Sequence, residues 1–144
     1  MIQQDTIKLL RECDAGVKMG VASIDDVLPH VRSGRMQSRL ETCKSEHEQL
    51  GEQIRTALDR FGDEGKNPNP IAKGMSWMKT TVKLGVDESD ACVADLMTDG
   101  CNMGVKSLNR YLNEYKAADE KAKDIAKRLI KLEEQLAMDI RQFL

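Results

Sequence analysis

Apolar residues recur every three or four positions along most of the chain, the spacing that places side chains on one face of an α-helix. One such stripe covers residues 7–28 and a second covers residues 36–61. Each stripe is interrupted by a polar residue, Asp14 in the first and His47 in the second. Because a polar group that faces a protein core needs a hydrogen-bonding partner, the pattern singles out these two residues as candidates for function.

The stripes and the turn residues between them predict four long helices and one short helix. The long helices cover about residues 6–28, 33–61, 88–115 and 118–143, and the short helix covers about residues 70–84. Asp5 or Thr6 is the expected N-cap of the first helix. No stretch alternates with a period of two, so no sheet is predicted, and residues 1–144 are expected to form a single domain.

The loop lengths predict the order in which the helices pack. Short turns join the first helix to the second and the third to the fourth, so each pair should be antiparallel. About 25 residues separate the second and third long helices, enough to return along a helix roughly 36 Å long. The predicted fold is therefore all-α, an antiparallel four-helix bundle whose long crossover carries the short extra helix. Two hairpins joined by one crossover form the ferritin-like arrangement.

Three segments resemble the ferritin-like superfamily, and in particular its small bacterial members that stand as single bundle domains. They are the opening run at residues 7–16, the crossover segment that contains Trp77, and residues 94–112 with Gly100 near their centre. The resemblance implies the bundle fold and, in metal-binding members of the superfamily, a di-iron or di-manganese carboxylate site. It does not imply that this chain binds metal.

A di-metal site of that class needs about six protein ligands, including a Glu-x-x-His pair on each of two helices. The sequence contains no such pair. Lys44 precedes His47 by three positions, and neither Glu133 nor Glu134 is followed by histidine at that spacing. The sequence therefore predicts a degenerate site and, as the favoured interpretation, no metal cofactor.

A reduced site is the alternative. Asp14, Cys43, His47 and Glu133 could converge from three helices and hold zinc, iron or manganese. The favoured interpretation is instead a buried polar cluster, in which His47 hydrogen-bonds Asp14 or Glu133 and Cys43 only packs. Such a contact would move the pKa of His47 away from about 6.5 and make the bundle sensitive to pH.

Four glycines interrupt the first and third long helices. They are Gly16, Gly20, Gly100 and Gly104. A glycine inside a helix costs up to about 1 kcal/mol relative to alanine, so each needs a structural reason. Close approach of packed helices is the favoured reason, and room for a small ligand is the alternative.

The crossover segment is basic and the stretch after it is acidic. Lys73, Lys79 and Lys83, together with Trp77, could dock on an acidic partner or a membrane surface. The favoured interpretation is instead that this helix lies on the bundle and that water surrounds its lysines. Pairing of the basic and acidic stretches between subunits is a third possibility.

Composition excludes several functions. A net charge of -2 and 3% aromatic residues argue against nucleic-acid binding. No apolar run approaches the ~20 residues that span a bilayer, and the opening residues lack a signal-peptide pattern. Four cysteines without a C-x-x-C pair do not indicate a disulfide framework. A cytoplasmic protein without membrane association is therefore expected.

The favoured function is a non-enzymatic structural or binding module that forms a homodimer. No nucleophile elbow or Gly-rich phosphate loop supports catalysis, and the sequence does not identify a small ligand. The first alternative is a metal-binding storage or oxidoreductase protein. The second is a partner- or membrane-docking protein that acts through the basic crossover helix.

Overall fold

The computed structural model describes residues 2–68 and 89–144, and within these ranges all regular structure is helical. The α-helices are α1 (Ile2–Val27), α2 (Gly34–Asp59), α3 (Asp90–Glu114) and α4 (Glu120–Ile140), and short 3-10 turns follow α1 and α4. The all-α prediction is confirmed for this part of the chain. The predicted short helix, with Lys73, Trp77, Lys79 and Lys83, lies outside the described residues. None of the described helices carries an apolar stretch long enough to span a bilayer.

The last three helices begin at side-chain caps. Ser33, Ser89 and Asp119 each accept a hydrogen bond from the backbone N–H three positions later, over 3.3, 3.1 and 2.8 Å. These caps satisfy N–H groups that the first turn of a helix leaves without partners. They also fix where α2, α3 and α4 begin.

The predicted N-cap of the first helix is wrong. α1 begins at Ile2, so Asp5 and Thr6 lie inside it. Their side chains instead accept hydrogen bonds from the connection between α3 and α4, Asp5 from Ala117 N over 3.0 Å and Thr6 from Asp119 N over 2.8 Å. Residue types that cap helices can also accept hydrogen bonds from loop N–H groups. Here Asp5 and Thr6 bind N–H groups of the α3–α4 connection and do not cap α1.

Two apolar clusters fill the interior of the bundle. The first, called the Leu9 cluster, is built around Leu9, Ile54 and Leu129. The second, called the Ile24 cluster, is built around Ile24 and Ile140. All four helices contribute to both clusters, so the core runs along the whole bundle.

One residue from each helix lies at a polar contact near the boundary of the two clusters. These four residues, called the central polar layer, are Gly20, His47, Gly104 and Glu133. The layer brings an imidazole and a carboxylate together inside the bundle. Its geometry decides what the interior of this bundle can do.

Candidate functional site

His47 lies in the central polar layer with only 1% of its surface exposed. Its Nδ1 contacts the carbonyl oxygen of Cys43, one helical turn earlier, over 2.8 Å. Because a carbonyl oxygen only accepts hydrogen bonds, Nδ1 must carry a hydrogen and donate it. The other ring nitrogen, Nε2, lies 2.9 Å from Oε1 of Glu133 on α4.

The contact between His47 and Glu133 requires a proton between the two atoms. Burial, the strongest influence, lowers the pKa of His47, but hydrogen bonds to Cys43 and Glu133 and the charges of these groups outweigh it and raise the pKa to about 10. At neutral pH the pair is therefore an imidazolium and a carboxylate. A buried ion pair of this kind needs its remaining hydrogen-bonding positions satisfied.

A thiol lies at each end of this ion pair. Sγ of Cys43 is 3.4 Å from Nδ1 of His47, at the cationic end. At the anionic end, Cys101 on α3 hydrogen-bonds to Glu133, and burial together with this carboxylate raises the pKa of the Cys101 thiol. The two thiols therefore meet opposite ends of the ion pair, the imidazole at Cys43 and the carboxylate at Cys101.

Glycines on α1 and α3 leave room for the side chains of His47 and Glu133. A Cβ on Gly20 would lie 2.9 Å from both Cδ2 and Nε2 of His47, which is closer than side chains pack. A Cβ on Gly104 would lie 3.5 Å from Cδ of Glu133, at ordinary contact distance, and one on Gly100 would meet nothing within 4 Å. Close packing therefore accounts for Gly20, and the atoms it accommodates belong to the imidazole.

Asp14, the other polar residue predicted to face inward, is buried but makes different contacts. Its Oδ2 lies 2.8 Å from Nζ of Lys18 and accepts a hydrogen bond from the backbone N–H of Lys66 over 3.0 Å. Of the two acids predicted as partners of His47, the structure pairs the histidine with Glu133. Of the four predicted site residues, the central region brings together Cys43, His47 and Glu133, while Asp14 contacts the loop after α2.

The polar contacts around Asp14 form a second cluster, called here the loop cluster, whose other members were not predicted from the sequence. In this cluster Glu12 forms an ion pair with Lys66, and Arg11 lies 3.2 Å from Asp63. Burial and the hydrogen bond to Glu12 raise the pKa of Tyr111 on α3. No local pattern could have revealed these contacts, because the loop residues lie more than 50 positions from their partners on α1.

The described residues contain no group of three or more His, Cys, Asp or Glu side chains arranged to hold a metal ion. The chemistry of His47 agrees with this. A metal ligand needs a nitrogen lone pair, whereas Nδ1 of His47 donates to a backbone carbonyl and Nε2 shares a proton with Glu133.

A surface cleft of about 480 Å³ lies between α2 and α4. Its lining includes Arg39, Thr42 and Cys43 from α2 and Gln135 and Leu136 from α4. Cys43 therefore faces two environments, the buried ion pair and the cleft. The lining is a mixture of charged, polar and apolar groups.

Comparison of the chain with protein-family models, curated proteins and solved structures finds no match.

Proposed function

We propose that this protein is a non-enzymatic helical-bundle module, structural or binding in role, in which a histidine–glutamate ion pair occupies the place that a di-metal centre has in metal-binding ferritin-like bundles. The observation that carries the proposal is that both ring nitrogens of His47 are engaged by protein groups, Cys43 O and Glu133 Oε1. Such a centre fixes the packing of the helices. It presents neither a vacant ligand position nor a proton acceptor to a substrate.

The contacts of α1 and α2 support the antiparallel arrangement that the proposal includes. Gly20 lies against His47, and Val17 lies against Gly51, where a Cβ would be 3.1 Å from the valine side chain. Earlier positions of one helix thus meet later positions of the other. Since a short connection joins the two helices, this is the pattern of a helical hairpin.

Hydrogen bonds at the helix ends support the crossover. Asp90, the first residue of α3, accepts from the backbone N–H groups of Arg32 and Ser33 over 2.7 and 3.0 Å. The start of α3 therefore lies beside the start of α2. Two helices that begin at the same end need a connection that returns along the bundle, as in the ferritin-like arrangement.

The proposal also includes a homodimer in a reducing compartment such as the cytoplasm. Met103 on α3 and Met138 on α4 are large apolar side chains exposed to solvent, and a second copy of the chain would cover them in the proposed dimer. All four cysteines lie within the described residues and none is in a disulfide. Free thiols persist where the surroundings are reducing.

Elemental analysis combined with a solution mass tests this function. Protein purified without a histidine tag should contain no stoichiometric transition metal and should have the mass of two chains. Two single variants, His47→Gln and Asp14→Asn, should leave the metal content unchanged. A stoichiometric ion that is lost in His47→Gln and retained in Asp14→Asn would instead establish the metal-binding alternative.

A docking role through the crossover is tested separately, because its residues lie outside those described. The full chain should not sediment with anionic vesicles. Sedimentation that disappears when Lys73, Lys79 and Lys83 are changed to Glu would replace the favoured function with the docking alternative.

A further inference from the structure

Cys43 differs from the other three cysteines in what surrounds its sulfur. Sγ lies 3.4 Å from Nδ1 of His47, and the residue lines the cleft between α2 and α4. The thiolate is the nucleophilic form of cysteine, and a cationic neighbour is a feature of reactive cysteine sites. Cys43 thus combines a neighbouring imidazole, which Glu133 holds in place, with contact to the cleft.

Two of the remaining thiols are held in the inert form. Cys13 is completely buried, and burial, with the charges of Glu12 and Asp14, raises its pKa to about 12. Cys101 faces the carboxylate of Glu133, which opposes its ionisation. Both thiols are therefore poor nucleophiles in the folded chain.

Cys92 is the strictest internal comparison for Cys43. The two residues are equally buried, with 6% and 7% of their surfaces exposed. Cys92 lies in the first turn of α3 and does not line the cleft between α2 and α4. A difference in reactivity between these two residues would therefore not be explained by burial.

We propose that Cys43 is a peroxide-reactive thiol, which hydrogen peroxide entering the cleft between α2 and α4 converts to a sulfenic acid, with the imidazole of His47 beside the reacting sulfur. This goes beyond a structural role for the central layer. It gives the bundle an oxidisable site on a defined path from the surface.

The reaction balances with the peroxide as the oxidant. The Cys43 thiol releases its proton to solvent in the cleft, and the thiolate attacks one peroxide oxygen, so that an S–O bond forms and the O–O bond breaks. Sulfur loses two electrons, and the leaving hydroxide takes a proton from solvent in the cleft to become water. The net change is thiol plus hydrogen peroxide to sulfenic acid plus water.

The cleft suits a small polar oxidant better than a bulky electrophile. Only 7% of Cys43 is exposed, so a large disulfide or alkylating group would have to part the helices to reach Sγ. Thr42, Gln135 and Arg39 offer hydrogen-bond donors along the path. Hydrogen peroxide has the size and the hydrogen-bonding groups that this lining accepts.

The proposal is tested on the unaltered protein, so the result does not depend on whether a variant folds. The full chain is exposed to hydrogen peroxide, quenched at intervals, labelled with a sulfenic-acid-specific reagent, and analysed by peptide mass spectrometry at each of the four cysteines. Cys43 should be oxidised at least about tenfold faster than Cys92. A smaller ratio, or faster oxidation of Cys92, overturns the proposal. Equal rates at all four positions would show reaction through unfolding and would overturn it as well.

Two variants separate the effect of the His47 imidazole on the oxidation rate of Cys43 from the effects of other groups. Glu133→Gln removes the charge that holds His47 as an imidazolium, and should slow oxidation of Cys43 at least about fivefold while circular dichroism still shows a folded bundle. Asp124→Asn makes the same acid-to-amide change on α4 in an exposed pair with Arg128, and should leave the Cys43 rate unchanged. A Cys43 rate that falls equally in both variants, or does not fall in Glu133→Gln, would contradict the assigned role of His47.

Discussion

The central polar layer and the loop cluster both place acidic side chains inside the bundle, but they satisfy them in different ways. In the central layer, His47 and Glu133 are held by two helices and are 1% and 12% exposed at their side chains. In the loop cluster, Asp14 is met by a backbone N–H and by Lys18, whose side chain is 37% exposed. One site is nearly dry and the other is open to water on its cationic side.

This difference determines how much each contact contributes to stability. Water and salt screen the loop pairs, and exposed ion pairs of this kind contribute about 0–1 kcal/mol. Breaking a buried pair costs several times more, because it leaves a polar group without solvent or partner. The same chemical pairing is therefore a minor contributor at the edge of the bundle and a major one at its centre.

The largest expected effect is a change of stability with pH, which Glu133→Gln should remove. The pKa of His47 is raised to about 10 in the folded chain from an unfolded value near 6.5. The contribution of His47 to the free energy of unfolding is therefore complete below about pH 6.5 and is lost as the pH rises through about 10. The free energy of unfolding should fall across this window by up to about 1.4 kcal/mol per pH unit. Urea denaturation at a series of pH values measures it.

Glu133→Gln should lower stability at neutral pH by about 2–3 kcal/mol and flatten this pH profile, since the amide does not favour the charged imidazole. Asp124→Asn is the matched control, because it makes the same acid-to-amide change on the same helix in an exposed pair, 3.1 Å from Arg128. It should cost less than about 0.5 kcal/mol and leave the profile unchanged. Parallel profiles for Glu133→Gln and the unaltered chain would refute the buried ion pair.

The next effect concerns the space at Gly20. In Gly20→Ala the new methyl group would overlap the ring of His47, which cannot move without losing a hydrogen bond at each nitrogen, so a loss of about 1–3 kcal/mol is expected. Gly16→Ala, four residues earlier on α1, places its methyl group 3.5 Å from Leu129 Cδ2 and should be neutral or stabilise the helix by up to about 1 kcal/mol. Thermal denaturation of both variants compares them, and equal stabilities would contradict the packing described for the central layer.

The smallest effect is expected in the loop cluster. Gly62 and Gly65 both have positive φ, +67° and +87°, so alanine at either position costs about 1 kcal/mol in backbone strain. At Gly65 the methyl group would also overlap the Asp14 carboxylate, whereas at Gly62 it would meet nothing within 4 Å. Gly65→Ala should therefore cost about 1 kcal/mol more and accelerate amide exchange at Lys66. Amide exchange that is no faster than in Gly62→Ala would show that the loop does not dock on Asp14.

The same contrast explains which parts of the molecule could be predicted from sequence. Helical spacing located the four helices and placed both Asp14 and His47 in the interior, because burial of a stripe is a local property of a helix. It also placed Glu133 among the possible partners of His47. The second partner of Asp14, besides its helical neighbour Lys18, could not be found in this way, since it is a backbone N–H 52 positions away in a loop without periodicity. Asp5 and Thr6 show the same limit, because a helix N-cap and a tertiary acceptor use the same residue types.

The position of the imidazole–carboxylate contact at mid-height has a consequence for how the helices are aligned. Two aliphatic stripes can slide past each other by one turn, about 5.4 Å, and still bury similar surface. A slip of that size between α2 and α4 would set His47 against hydrocarbon and leave a charge with no counterion. The His47–Glu133 contact therefore fixes the register of α2 against α4. Other registers would still bury the aliphatic side chains, but they would leave a buried charge unpaired.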